Sequence, residues 1–160
     1  MRQRIHSILA LAGLLTIGAC ATLNSERSVA QQQALTRLGF VEVNEGWELN
    51  LGRRLSFAVD ESTLNADAYA MVKEIAQVLL AVGVEQLTVD GHADNSGSKE
   101  YNWQISELRA ESVARALAEN GFALNQIKRR AYGAAMPIAE NTSEAGRQAN
   151  RRAVLIVPSR

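Results

Sequence analysis

Gly91-His92-Ala93-Asp94-Asn95-Ser96-Gly97, followed by Asn102 and by Ser106-Glu107-Leu108-Arg109-Ala110, is the stretch that decides how this 160-residue chain is read. Leu87 and Val89 before it alternate at the two-residue period of a strand. After it a helix is predicted from Asn102 to Glu119, with Ile105, Leu108, Val113, Ala116 and Leu117 inward and Gly121 at its end. The loop between them can turn sharply at Gly91 and Gly97. It carries an acid, Asp94, while Arg109 lies about two turns inside the helix, so only the return of the loop can bring the two together. An anion and a cation held near each other without full mutual contact make a receptor for a zwitterion. Arg109 can grip a carboxylate through two parallel hydrogen bonds, Asp94 can accept from an ammonium, and helix-start amides near Asn102 favour the same carboxylate. From the residue types alone, a plain Asp94–Arg109 salt bridge, or an Asp94 that only caps its loop, stays open.

Outward from this stretch, strands and helices alternate. A helix capped by Ser28 runs through Leu38 with a thin apolar face of Val29, Ala30, Ala34, Leu35 and Leu38, and Gly39 ends it. Phe40 to Val43 and Trp47 to Leu51 read as a hairpin around Asn44-Glu45-Gly46, and Arg54 to Phe57 as a further strand. From Asn65 to Ala81 apolar residues recur at threes and fours (Met71, Val72, Ile75, Val78, Leu79), and Gly83 stops that helix. Two strands close the chain, Lys128 to Tyr132 and Arg152 to Val157, the latter too continuously apolar for an exposed edge. The predicted fold class is α/β (α+β): a two-layer sandwich with helices covering one face of a mixed sheet.

The first twenty residues point to export. Arg2 and Arg4 precede an apolar run from Ile5 to Ile17, the layout of a signal peptide and too short for a permanent span. Ile17-Gly18-Ala19-Cys20 has the form of a bacterial lipobox, which assigns residues 1–19 to a signal peptide and Cys20 to diacylation, for example with palmitate, at the new N-terminus. Two or more acyl chains anchor a protein stably where one does not. Ala21, rather than an aspartate, follows the cysteine, which implies sorting to the outer membrane with the protein facing the periplasm. Cys20 is the only cysteine, so no intramolecular disulfide or cysteine metal cluster can form. Residues 20–39 are then the lipidated cysteine, a short linker and a helix, and residues 40–160 one domain. Losing Arg2 and Arg4 leaves the mature chain slightly acidic, near −2, which argues against nucleic acid or anionic lipid as the main partner.

Asp94, Ser96, Asn102 and Arg109 recur in order with Gly146-Arg147 and Asn150-Arg151-Arg152 across about sixty residues, and in this the chain resembles the OmpA-like peptidoglycan-binding domain. The resemblance implies the same two-layer fold. It implies binding of the diaminopimelate side chain of peptidoglycan by the residues matching Asp94 and Arg109, with Ser96 and Asn102 as further polar contacts and Asp60 as another. For Asn150-Arg151-Arg152 two readings stay open: direct ligand contact, or one arginine bracing the ligand loop while the other is solvated. Ala93 stands where the family usually has threonine, which removes one hydroxyl. His92 is the only histidine of the mature chain, so a zinc site is not expected, and Asp94-Asn95-Ser96-Gly97 lacks the spaced acids of an EF-hand. No metal, cofactor or nucleophile-and-base pair is predicted, and the chain is not expected to be an enzyme.

Leu35 to Phe40, Glu45 to Leu49 and Leu55 to Phe57 resemble the entry segment of YfiB-type lipoproteins. That likeness implies capture of a periplasmic repressor (YfiR-like) through Leu35, Leu38, Phe40 and Trp47, which would relieve an inner-membrane diguanylate cyclase and raise cyclic di-GMP. It also allows a homodimer. A structural tether of the Pal type, linking outer membrane to peptidoglycan, is the alternative that the same lipid and wall signals support.

Overall fold

A computed structural model describes residues 29–52, 55, 57 and 60–159. The signal peptide, Cys20, the Ser28 cap, and Arg54 and Ser56 of the expected third strand lie outside the described residues. In chain order the elements are α1 (residues 29–38), β1 (Val41–Val43), β2 (Gly46–Asn50), α2 (Ala66–Ala81), β3 (Leu87–Gly91), α3 (Lys99–Glu119), a 3-10 turn (Leu124–Gln126), β4 (Ile127–Ala131), α4 (Glu144–Asn150) and β5 (Ala153–Pro158). The strands form one sheet in the order β1-β2-β5-β3-β4, parallel only between β3 and β4. The architecture is the expected two-layer α/β sandwich, with α3 packed across β3, β4 and β5 and α2 beside it. β5 lies at the centre of the sheet, and Ala153 to Val157 are buried, which is why its sequence is apolar without alternation.

Local signals set most boundaries. α1 ends in a Schellman motif: Gly39 adopts φ 90°, its N–H reaches Thr36 O at 3.0 Å, and Phe40 N–H reaches Leu35 O at 2.9 Å. Asn65 caps α2 by accepting from Ala68 N–H at 2.8 Å, and Ser98 caps α3 by accepting from Tyr101 N–H at 3.1 Å. Leu79, Val72, Val89, Val113, Leu117 and Leu155 are almost wholly removed from water between the layers. Each such side chain contributes about 1.5–3 kcal/mol.

Several expectations are corrected. Leu55 N–H bonds Leu51 O at 2.6 Å, a turn-like i to i−4 contact, and neither Leu55 nor Phe57 belongs to a strand; their burial, not sheet pairing, explains the apolar pattern there. Leu108 is 52% exposed, because the inward stripe of α3 runs through the polar residues Asn102, Ser106 and Arg109, and Leu108 sits to one side of it. α3 begins at Lys99, one turn before the expected start, so the Asn102 amide is already spent on Ser98 O at 2.9 Å and is not a helix-start donor. α4 carries no periodic signal in the sequence, since its seven residues contain almost no apolar side chain.

Candidate functional site

β3 delivers the chain into the loop 92–97 at the edge where α3 starts, and Gly91 is what lets helix and strand approach. A Cβ on Gly91 would stand 1.8 Å from Ser106 O, so no other residue permits this contact. Ser106 is buried, its hydroxyl donating to Trp103 O at 2.7 Å and accepting from Gly133 N–H at 2.9 Å. Ala93 N–H in turn bonds Gly133 O at 2.8 Å. The loop is therefore clamped between α3 and the turn after β4.

Asp94 is buried and its two oxygens are used separately. Oδ1 accepts from Ser96 N–H at 2.7 Å and Oδ2 from Arg151 Nη1 at 2.6 Å. Burial alone would raise its pKa, but the Ser96 amide and the Arg151 guanidinium outweigh that and hold the carboxyl below its ordinary range. The ion-pair partner of Asp94 is thus Arg151, at the C-terminal cap of α4, rather than Arg109. Arg151 also donates to Glu144 and Gln148, and to Phe57 O at 3.4 Å, so it ties loop 92–97 to α4 and to the segment around Phe57.

Arg109 is 1% exposed, with Nε on Glu61 O and Nη1 on His92 O, each at 3.0 Å, and its guanidinium 5.2 Å from the Phe57 ring centre. Burial first, then repulsion from Arg151, lowers its pKa to about 10, with Asp94 opposing. It stays charged at neutral pH. Asp60, Asp94, Ser96, Tyr101, Asn102, Arg109 and Arg151 line one pit of about 20 Å³. That volume holds about one water. Tyr101, which sequence reasoning missed, donates its hydroxyl to the Asp60 carboxylate at the rim, with Asp60 at φ 62°. Its only signal was an aromatic directly before Asn102.

Two residues of the expected set do other work. Asn150 is spent on the segment before α4, accepting from Ile138 N–H at 2.8 Å and Ala139 N–H at 3.2 Å and donating to Ala139 O at 2.8 Å and Asn141 Oδ1 at 2.9 Å. It does not line the pit. Arg152, expected to be solvated if Arg151 braces, is instead buried and donates to Met136 O at 3.1 Å and Asn150 O at 3.4 Å, because it lies at the entrance to the central strand. In the entry segment Leu35 and Phe40 are buried in the core, and Leu38 and Trp47 pack partly buried against it. None of the four is presented as an open apolar surface here.

His92 is buried and stacked on Tyr132 with ring centres 5.3 Å apart, and its Nδ1 has no hydrogen-bond partner among the described residues. Burial, with repulsion from Arg152 and Arg130, lowers its pKa from 6.5 to about 3. Between those values the unfolded chain takes up a proton that the folded one refuses. The contribution of neutral His92 is therefore complete above pH 6.5 and is lost as pH falls toward about 3, at about 1.4 kcal/mol per unit. Thermal unfolding should show wild type losing stability across this window more steeply than His92→Gln; parallel curves would exclude His92 as the cause.

Residues 56–151 match the OmpA family, a stretch that contains every residue lining the pit. Over its whole length the chain is similar to the outer-membrane lipoprotein YfiB of Pseudomonas aeruginosa, 37% identical with 98% of each chain covered. It is also similar to the peptidoglycan-associated lipoprotein of Brucella melitensis, 30% identical over 97% of this chain and 96% of that one. Among solved structures, the peptidoglycan-associated lipoprotein of Burkholderia pseudomallei superposes with a TM-score of 0.60 at 30% identity, covering 64% of this chain and 86% of that one.

Proposed function

The chain belongs to the OmpA family, and from that premise we propose that this lipid-anchored outer-membrane protein binds peptidoglycan non-covalently, without catalysis, by holding a diaminopimelate group at the Asp94 pit. One observation carries the reading: two carboxylates, Asp60 and Asp94, and two guanidiniums, Arg109 and Arg151, line a single small pit. Such a balanced set suits a ligand that brings both an ammonium and a carboxylate. Asp94 keeps acceptor capacity, because each of its oxygens has a second lone pair beyond the Ser96 and Arg151 bonds. Arg109, its plane fixed by two backbone carbonyls, supplies the cation at the opposite wall.

The test is co-sedimentation of the mature protein with peptidoglycan sacculi. Free stem tripeptide containing diaminopimelate should compete the protein off, and the same peptide with lysine in that position should not. Arg109→Lys should weaken binding by about ten- to a hundredfold, since an ammonium lacks the planar fork. Undiminished binding by a folded Arg109→Lys protein would remove Arg109 from the site.

The role built on this anchoring is capture of a YfiR-like periplasmic repressor, with release of a diguanylate cyclase and a rise in cyclic di-GMP. Support comes from the likeness to YfiB, which extends over the whole chain, including the segment before residue 56. Deleting the gene should lower cyclic di-GMP; an unchanged level together with a leaky outer membrane would favour a Pal-type tether.

A further inference from the structure

We propose that the groove between α3 and β4, walled by Trp103, is a glycan subsite that takes one sugar ring of the peptidoglycan strand. The inference rests on the wall-binding reading above and extends it from the stem peptide to the polysaccharide. Trp103 is 50% exposed, in the same turn of α3 as Asn102, and its indole borders a cleft of about 240 Å³ with Glu107, Glu111, Arg129, Arg130 and Ala131. That is below the roughly 300–1,000 Å³ of drug-sized pockets, and suits a single ring.

The lining fits a neutral, hydroxyl-rich ligand. An indole face is broad and apolar, and it matches the C–H face of a pyranose, while the edge of the sugar needs hydrogen-bond donors and acceptors. The rim supplies both in equal number, two carboxylates and two guanidiniums. Arg129 pairs with Glu111, and Arg130 holds the Asp90 carboxylate at 2.6 and 2.8 Å. With both guanidiniums answered by carboxylates, the cleft has little reason to select an anion.

Its position also fits. Asn102 faces the pit and Trp103 the cleft, on α carbons about 3.8 Å apart, while a three-residue stem spans up to about 10 Å. Diaminopimelate is the third residue of a stem attached to the sugar, so a strand held at the pit keeps its own sugar within reach of the cleft. Gly133 packs against the α3 backbone at this point, where a Cβ would stand 3.2 Å from Trp103 N and 3.3 Å from Asn102 C.

The experiment uses the full-length lipoprotein in detergent micelles, with Trp47→Phe so that Trp103 is the sole tryptophan, excited at a wavelength the three tyrosines do not absorb. The probes are peptide-free glycan strands from amidase-treated sacculi, the disaccharide-tripeptide, and the free tripeptide. Glycan strands should change Trp103 emission, and the disaccharide-tripeptide should bind about three- to tenfold tighter than the tripeptide. Trp103→Ala should erase that advantage and leave tripeptide affinity unchanged, while Trp103→Tyr should keep part of it. Equal binding of the two peptides by wild type, no response to glycan strands, or an equal loss for both peptides in Trp103→Ala would each overturn the subsite. Failure of the tripeptide to bind, with Trp103 still responding to glycan, would instead refute the diaminopimelate reading and leave the subsite standing.

Discussion

Asp94→Ala should abolish co-sedimentation with sacculi and lower the unfolding midpoint together, and a second substitution should separate the two losses. Asp94 contributes to binding as the acceptor for the ligand ammonium, a charged hydrogen bond of about 1.5–3 kcal/mol, or roughly ten- to a hundredfold in affinity. It contributes to stability because Arg151 is 3% exposed and would be left without its buried partner. Breaking such a pair costs about 3–5 kcal/mol, whereas replacing both members with apolar groups is often neutral. The exposed Glu144 still contacts Arg151, so the lower end of that range is expected. Asp94→Ala with Arg151→Met should therefore recover most of the stability by urea titration while staying unbound to sacculi. A folded double variant that sediments like wild type would show that Asp94 is not part of the ligand site.

Gly91→Ala should be strongly destabilising, far more than a methyl added at an open position. The new Cβ would meet Ser106 O at 1.8 Å and Ser106 C at 2.8 Å, both main-chain atoms of α3. The helix cannot yield locally, since the same turns carry Asn102 and Arg109 into the pit. Overpacking a core ordinarily costs about 1–3 kcal/mol, and a clash with backbone belongs to the rarer class above about 4 kcal/mol. Gly83→Ala is the control: it has φ +74° but nothing within 4 Å of a Cβ, so it should cost only about 1 kcal/mol. Similar urea midpoints for the two variants would contradict this account of how α3 sits on β3.

These two positions also show where the sequence was legible. Asp94 and Gly91 were readable because strand, glycine turn and helix follow one another within a few residues, and each leaves a local mark. The partner of Asp94 was not, because Arg151 is 57 positions away and reaches it through α4, a seven-residue helix with no apolar period. Leu108 misled for a related reason: a count of apolar residues cannot follow a helix face that has been given over to Asn102, Ser106 and Arg109. Of the two readings open for Asn150-Arg151-Arg152, one left the non-bracing arginine in water, yet the central strand that Arg152 precedes draws it inside. Periodicity found the layers; the site was built from their exceptions.

The placement of α1 relative to the pit has a mechanical meaning. Gln31 near the start of α1 reaches Val82 O and borders the same cleft as Glu85, Val157 and Pro158, at the end of the sheet where β3 begins and β5 finishes. The pit lies past the other end of β3. If the Asp94 pit holds the wall as proposed, a pull between the start of α1 and the pit runs lengthwise along β5 and β3, so their ladder hydrogen bonds are loaded side by side in shear instead of being peeled open one after another. A domain mounted this way resists a steady pull better than its equilibrium stability alone would indicate.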